Sequence, residues 1–191
     1  LNSLPADQRA NFGTITPAAA LLKGIGDTAF GFRLPILAGF IAMAIGDRPA
    51  LALGLVGGMM AIDMGGPFNK AAYVFGTAAI AAGNYDIMAA VMIGGMTPPC
   101  AIALATLLFK DKFTKEEREA GPTNFIMGLA FITEGAISFA ASDPLHVLPS
   151  CIIGSAVAGA MSMAFNCTLM ALVVGTVISA VLLGILKKKA A

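Results

Sequence analysis

Charge is what this chain has least of. Only 12% of its 191 residues are Asp, Glu, Lys or Arg, about half the fraction usual in a soluble domain. So small a supply cannot cover a folded surface in water. The mean hydropathy of +0.84 points the same way, and a polytopic membrane protein becomes the first reading. The formal net charge is +1, which offers no footprint for nucleic acid. Histidine occurs once, at His146, without a second histidine or an acid at helical spacing that suggests a metal site, so no metal or other cofactor is expected. Cysteine occurs three times, at Cys100, Cys151 and Cys167. All lie in apolar surroundings without CxxC or metal-ligand spacing and read as packing residues. No cleavable signal peptide is expected from the opening residues.

What is plentiful is small and flexible: 22 glycines and 11 methionines, a composition suited to helices packed closely in lipid. Residues 1–23 are mixed and polar and read as a linker, with residues 24–189 forming the membrane domain. The fold class expected is all-α, with transmembrane helices interrupted by broken or re-entrant segments. Residues 30–46 are apolar but broken by Arg33 and Pro35, and Asp47-Arg48-Pro49 reads as an interfacial turn. Residues 51–64 are glycine-rich, with Gly54 and Gly58 at small-xxx-small spacing. Gly65-Gly66-Pro67 then breaks any helix, and residues 68–83 read as a short helix of small residues. Asp86 is placed to open the next one. The charge-free run 87–109 is long enough to span, but Gly94-Gly95 and Pro98-Pro99 at its centre suggest two half-helices or a kinked span. Residues 110–121 are strongly hydrophilic and read as a solvated loop. Residues 148–165 carry a close-packing face of small residues, and residues 169–186 followed by Lys187-Lys188-Lys189 form the clearest span.

Basic residues flanking spans mark cytoplasmic ends. By that rule 110–118 and 187–189 belong on the same side, yet three full spans between them would separate them. One segment must therefore be re-entrant, or a span is missing. The stretch 125–149, with Glu134-Gly135 and Asp143-Pro144, is the re-entrant candidate.

The same stretch carries the chemistry. Glu134 stands inside an apolar run, where a carboxylate costs about 2.5–3.5 kcal/mol on insertion scales. Such a residue is a functional candidate by default, against the plainer reading of a carboxylate lining a watery vestibule. The second constellation is Asp63 to Lys70. Two glycines and a proline open the backbone beside an acid, the Asn69 amide and the Lys70 amine. Asn both donates and accepts and Asp accepts, as recognition of sugar hydroxyls requires, while Asp63 and Lys70 alternatively neutralise one another. Thr133 either donates to a ligand or bonds within its own helix. Gly135 completes the opening next to Glu134. His146 reads mainly as polar trim near the turn, with a direct role as base or phosphate carrier the sharper alternative. If Glu134 matters, a bent backbone holds it at bilayer depth, near an enclosed polar hollow and the Asn69–Lys70 break.

These motifs resemble the membrane permease (IIC) component of the phosphoenolpyruvate-dependent sugar phosphotransferase system, fructose class. The family pattern I-T-E-G-A-I-P-F followed by D-P-x-R-V-I-P-S is matched from Ile132 to Phe139 and from Asp143 to Ser150. Ser138 and His146 stand where the family has Pro and Arg. M-G-G-P-x-N-K-A-A-Y is matched from Met64 to Tyr73, and P-P-x-x-x-A-L-A-T from Pro98 to Thr106. The loop resembling K-F-T-x-E-E-R-E-A-G runs from Lys112 to Gly121, and an earlier motif corresponds to residues 35–49. The family carries roughly a hundred further residues between its G-G-M-x-A and M-G-G-P motifs, which here nearly adjoin around 59–64. Its A-P-H-G-G motif is missing after Ala171. The resemblance implies a multi-pass protein of the bacterial inner membrane, homodimeric, with a cytoplasmic C-terminus. It implies uptake of fructose or a related sugar, coupled to phosphorylation by a phosphocysteine on a IIB domain or subunit. That donor is not on this chain, since none of its cysteines sits in a context that favours a thiolate. By similarity Glu134 bonds the reacting sugar hydroxyl as the catalytic group, with Asn69 and Lys70 as secondary contacts. An ion-coupled secondary transporter with Glu134 as proton carrier, and a non-catalytic membrane remnant that docks a partner, remain as alternatives.

Overall fold

The computed structural model describes residues 51–165 and 168–187, together with Leu21, Lys23, Ile36 and Phe40. All of the apolar stretch 30–46 except Ile36 and Phe40, the turn at 47–49, nearly all of the 1–23 linker, the linker boundary after Lys23, Cys167, Lys188 and Lys189 lie outside the described residues. The chain divides into two compact units, Leu1–Arg33 and Leu34–Ala191. All that follows concerns the second.

Helices account for nearly all of it, and no strand occurs among the described residues. In chain order they are α1 Leu51–Met60, α2 Pro67–Ala81, α3 Asp86–Leu108, α4 Lys115–Leu129, α5 Ile137–Ser142, α6 Pro144–Ala164 and α7 Thr168–Leu186. A 3₁₀ turn Lys110–Lys112 leads into α4, and a second, Thr133–Ala136, precedes α5. Three of these, α3, α6 and α7, are long and apolar enough to cross a membrane, at about 29–35 Å against a hydrocarbon core of about 30 Å. The protein is an all-α polytopic membrane protein.

Helix α3 is the hub, packed against α2, α4, α6 and α7. Its apolar window is 72% buried, whereas that of α7 is 39% buried, so α7 leaves an apolar face outward. The sequence suggested that Pro98-Pro99 would split α3. Instead it is one continuous helix of 23 residues. Each proline lacks an N–H and so strips the carbonyl four residues earlier of its partner. Those carbonyls belong to Gly94 and Gly95, and both find a hydroxyl from outside the helix. Ser155 Oγ of α6 donates to Gly94 O at 2.9 Å, and Thr133 Oγ1 donates to Gly95 O at 3.0 Å. The glycines also let backbones approach: a Cβ on Gly94 would lie 2.6 Å from Gly57 O of α1.

The hydrophilic stretch 110–121 is not simply a loop. Thr114 and Glu117 form a reciprocal capping box that starts α4, the T-x-x-E pattern that marks a helix start. Helix α4 is 15 residues long, too short to span at about 22 Å, and runs antiparallel to α3, with Gly121 against Thr106 and Gly128 against Cys100. The chain then turns back. Ser142, at the end of α5, donates to Glu117 Oε1 at 3.0 Å, so residues 115–142 enter the bundle and return to the end they left. From there α6 crosses, and α7 comes back antiparallel, with Ser179 Oγ donating to Ser150 O at 3.0 Å. Lys187 ends 3.0 Å from the same Glu117 oxygen and 4.1 Å above the Phe113 ring. The basic segment 110–118 and Lys187 thus share one end of the bundle, and a re-entrant path over 115–142, earlier than the 125–149 expected, reconciles them.

Two outcomes follow. Ser155→Ala leaves Gly94 O without its donor and lowers stability in detergent by about 0.6–2 kcal/mol, whereas Ser162→Ala, whose hydroxyl bonds only Gly159 O of its own helix, changes it far less. Equal effects in thermal unfolding would contradict the compensation. The second concerns pH. Burial pushes the Glu117 carboxyl up, but the Thr114 amide, Lys187 and the Ser142 hydroxyl outweigh it and hold the pKa below its ordinary value. A depressed folded pKa gives stability that is present above the unfolded value of about 4.3 and is lost as pH falls through the folded one. Glu117→Gln therefore destabilises at pH 7, and its difference from wild type shrinks on acidification below about pH 4. A difference independent of pH would refute this account.

Candidate functional site

The residues between α1 and α2 form a tight break. Met64 has φ 45° and Gly65 φ 118°, and Met64 is buried to 2%. Asp63 reaches over the break to start α2: Phe68 N–H donates to its Oδ2 at 2.7 Å and Asn69 N–H to its Oδ1 at 3.0 Å. A Cβ on Gly66 would lie 2.5 Å from Asp63 Oδ2, so glycine there makes room for the cap. Asn69 Nδ2 donates back to Met60 O at 2.9 Å, closing the last turn of α1. Asp63 and Asn69 are thus engaged in holding the break. Asp63 makes no ion pair with Lys70, whose exposed side chain has none among the described residues.

On the other side of the site α4 ends in a Schellman motif. Phe131 N–H donates to Gly128 O at 3.1 Å and Ile132 N–H to Met127 O at 2.8 Å. The left-handed position, usually glycine, is Phe131 at φ 61°. Its ring is held 6.4 Å from that of Tyr73, and a Cβ on Gly95 would stand 2.8 Å from Phe131 Cε2. The 3₁₀ turn follows at once. Thr133, 4% exposed, neither faces a free space nor bonds within its own helix; it is tied across to Gly95 O. Gly95 lies about 20 Å along α3 from its Leu108 end and about 14 Å from its Asp86 end, so the turn sits near the middle of the longest candidate span. Gly135 packs on α4, where a Cβ would strike Asn124 Oδ1. Asn124 is 3% exposed, and its Nδ2 has no partner among the described residues. Sequence reasoning missed Asn124, although an amide six residues after Arg118 was visible in the apolar part of the segment.

Glu134 stands on this support. Its carboxylate lies against the Met64–Lys70 break: a Cβ on Gly65 would come 2.9 Å from Glu134 Oε1. Next to it is the start of α2, the end of a helix that attracts negative charge. The expected mid-span depth and the expected proximity to the break are both present. The expected enclosure is not, since the Glu134 side chain is exposed. The neighbouring cavity, about 240 Å³, is lined by Asp63, Met64, Ile137 and Leu148 among others but not by Glu134. Among the described residues Glu134 has no hydrogen bond or ion pair.

His146 lies apart from this group. Its Nδ1 is 2.7 Å from Asp143 Oδ1, an acid three residues earlier, contrary to the expectation that no acid partner stood at helical spacing. Ser150 Oγ donates to His146 O. This pair belongs to the first turn of α6. No cluster of three or more metal-ligating side chains occurs among the described residues.

An all-α membrane protein with an acid at mid-span that has no partner among the described residues, set against a broken helix, is the class that fold and site define. Sequence comparison narrows it. The chain is 53% identical over 157 residues to the "PTS system fructose-specific EIIB'BC component" of Rhodobacter capsulatus, covering 82% of this chain and 25% of that protein. It is 49% identical over 166 residues to the "Fructose permease IIC component" of Bacillus amyloliquefaciens, covering 76% of this chain and 54% of that protein. It is 52% identical over 128 residues to the "PTS system fructose-specific EIIB'BC component" of Escherichia coli (strain K12), covering 66% and 23%. The chain thus resembles the fructose-class IIC permease component of the sugar phosphotransferase system. It spans about a quarter of the length of the EIIB'BC relatives and about half that of the permease. No protein-family model matches the chain, and no solved structure matches it.

The contact between Gly65 and Glu134 is directly testable. Gly65→Ala costs about 1–3 kcal/mol from backbone strain, and the exposed Glu134 carboxylate swings aside at a smaller further cost. In a Glu134→Ala background only the strain remains. A double-mutant cycle by thermal unfolding should therefore show a slightly smaller Gly65→Ala penalty when Glu134 is truncated; a larger penalty in that background would contradict the contact.

Proposed function

We propose that this chain is the sugar-translocating part of a fructose-class permease, in a shortened form, and that Glu134 bonds the sugar hydroxyl that becomes phosphorylated. The observation that carries the reading is the placement of Glu134: mid-span, without a partner among the described residues, and against the glycine break that begins with Met64. A carboxylate accepts from hydroxyls and can take the proton of the one that reacts, in the manner of a general base. Asn69 and the exposed Lys70, on the break against which Glu134 lies, are the residues able to bond further hydroxyls. Asp63, Thr133 and Gly135 act by shaping the opening, and His146 has a supporting place at best.

The phosphoryl donor is a phosphocysteine of a IIB domain or subunit. Cys100 and Cys151 are buried and out of reach of a soluble donor. The membrane is the bacterial inner membrane, with the Lys110–Arg118 and Lys187 end cytoplasmic by the positive-inside rule, and the exposed apolar side chains of α7, such as Val173, Val177 and Val181, face lipid or a second copy in a homodimer. As an enzyme the protein is then one part of a protein-phosphocysteine–sugar phosphotransferase.

The test is phosphoenolpyruvate-dependent phosphorylation of fructose by membranes carrying this chain, supplied with a fructose IIB and the general phosphotransferase proteins. Glu134→Gln should lower the rate about 10²–10⁴-fold with an unchanged amount of protein in the membrane. Binding of labelled fructose to the purified chain, weakened by the same substitution, tests the contact apart from turnover. Wild-type activity in Glu134→Gln, or uptake that follows a proton gradient instead of the phosphoryl donor, overturns the reading.

A further inference from the structure

The end of the bundle that carries Glu117 sorts its cations into two groups. Lys112 Nζ donates to Gly184 O at 2.5 Å and Lys187 Nζ is paired with Glu117; both hold helices together. Lys110, Lys115 and Arg118 make no ion pair or side-chain hydrogen bond among the described residues. These three converge on a cleft of about 350 Å³, lined otherwise by Thr106, Leu107 and Glu119. The cleft is amphipathic by construction. Its inner wall is the last turn of α3, where Leu107 and its neighbour Leu108 are 58% and 59% exposed. Its rim is the charged start of α4.

Position decides what such a cleft meets. With α3 spanning about 35 Å, its last turn lies where hydrocarbon gives way to headgroups. Exposed leucines there face acyl chains, and cations one turn further out stand at the level of lipid phosphates. Basic recesses at this depth attract anionic headgroups, each Lys or Arg contributing about fivefold in affinity. Three cations against the single carboxylate of Glu119 leave the lining net positive. We propose that this cleft is a binding site for the phosphate of an anionic phospholipid, with the acyl chains laid along Leu107 and Leu108. The inference rests on the membrane fold alone and stands whether or not Glu134 handles a sugar.

The purified full chain in neutral detergent is titrated with phosphatidylglycerol, phosphatidylcholine or inorganic phosphate while its thermal unfolding midpoint is followed. Phosphatidylglycerol should raise the midpoint and phosphatidylcholine should not. Replacing Lys110, Lys115 and Arg118 singly by Gln should weaken the apparent affinity for phosphatidylglycerol about fivefold each and together about a hundredfold, while Glu119→Gln tightens it. All four side chains are exposed, so the single variants remain folded. A phosphatidylglycerol response that survives the triple substitution overturns the site. An equal response to inorganic phosphate, lost in the same variants, overturns the lipid assignment in favour of a free phosphate.

Discussion

Two carbonyl oxygens in the middle of α3 constrain most of what surrounds them. A helix interior normally satisfies its own backbone, and in hydrocarbon no water stands by to replace a missing donor. Pro98 and Pro99 remove the donors for Gly94 and Gly95. The vacant positions are filled from two separate elements, Ser155 on α6 and Thr133 on the turn that carries Glu134. Each repair is also a clamp. The first sets α6 at a fixed level beside α3, with Gly57 of α1 wedged against both Gly94 and Ser155. The second fixes the 3₁₀ turn near the centre of the span. The proline pair, which alone would weaken a helix, thereby places the acid.

This is also why sequence reading succeeded in one place and failed in another. The breaks at Gly65-Gly66-Pro67 and at Asp143-Pro144 are local: the residues that end one helix and start the next lie side by side, and both stand where they were expected. The integrity of α3 is not local. Its two repairing hydroxyls come from 61 and 38 residues away, and nothing near Pro98-Pro99 announces them. Helix α4 was legible but overridden by hydrophilicity, since the Thr114–Glu117 capping box was present in a stretch read as loop. Glu134 could be singled out because a charge is conspicuous among apolar residues. Its support by Asn124 could not, because an amide has no such contrast and only packing brings it beneath Gly135.

The re-entrant path has an electrostatic fastening. Glu117 accepts from Thr114, Ser142 and Lys187, so one carboxylate ties the start of α4, the end of α5 and the end of α7. Removing its partners leaves a partly buried charge unsatisfied, which is costlier than the bonds themselves are favourable. The fastening returns the hairpin to its own end of the bundle and resolves the parity of the basic segments. It also divides the molecule into a bonded polar end and a mid-span site.

Three carboxylates, Asp63, Glu117 and Glu134, differ in a way that bears on their roles. Asp63 receives two backbone amides and Glu117 receives three donors, so each is accounted for by the fold. Glu134 receives none among the described residues, although everything beneath it is fixed. Thr133, Ala136 and Asn124 are 4%, 0% and 3% exposed, and the flanking Met64 and Phe131 are held at positive φ, a strain of about 1–3 kcal/mol each that persists only where packing over-determines it. A structural carboxylate needs its own bonds and tolerates a loose floor; this one has a buried floor and no bonds among the described residues. On the proposed reading that combination suits a ligand contact, whose geometry is set in advance and whose lone pairs would be open to a sugar hydroxyl.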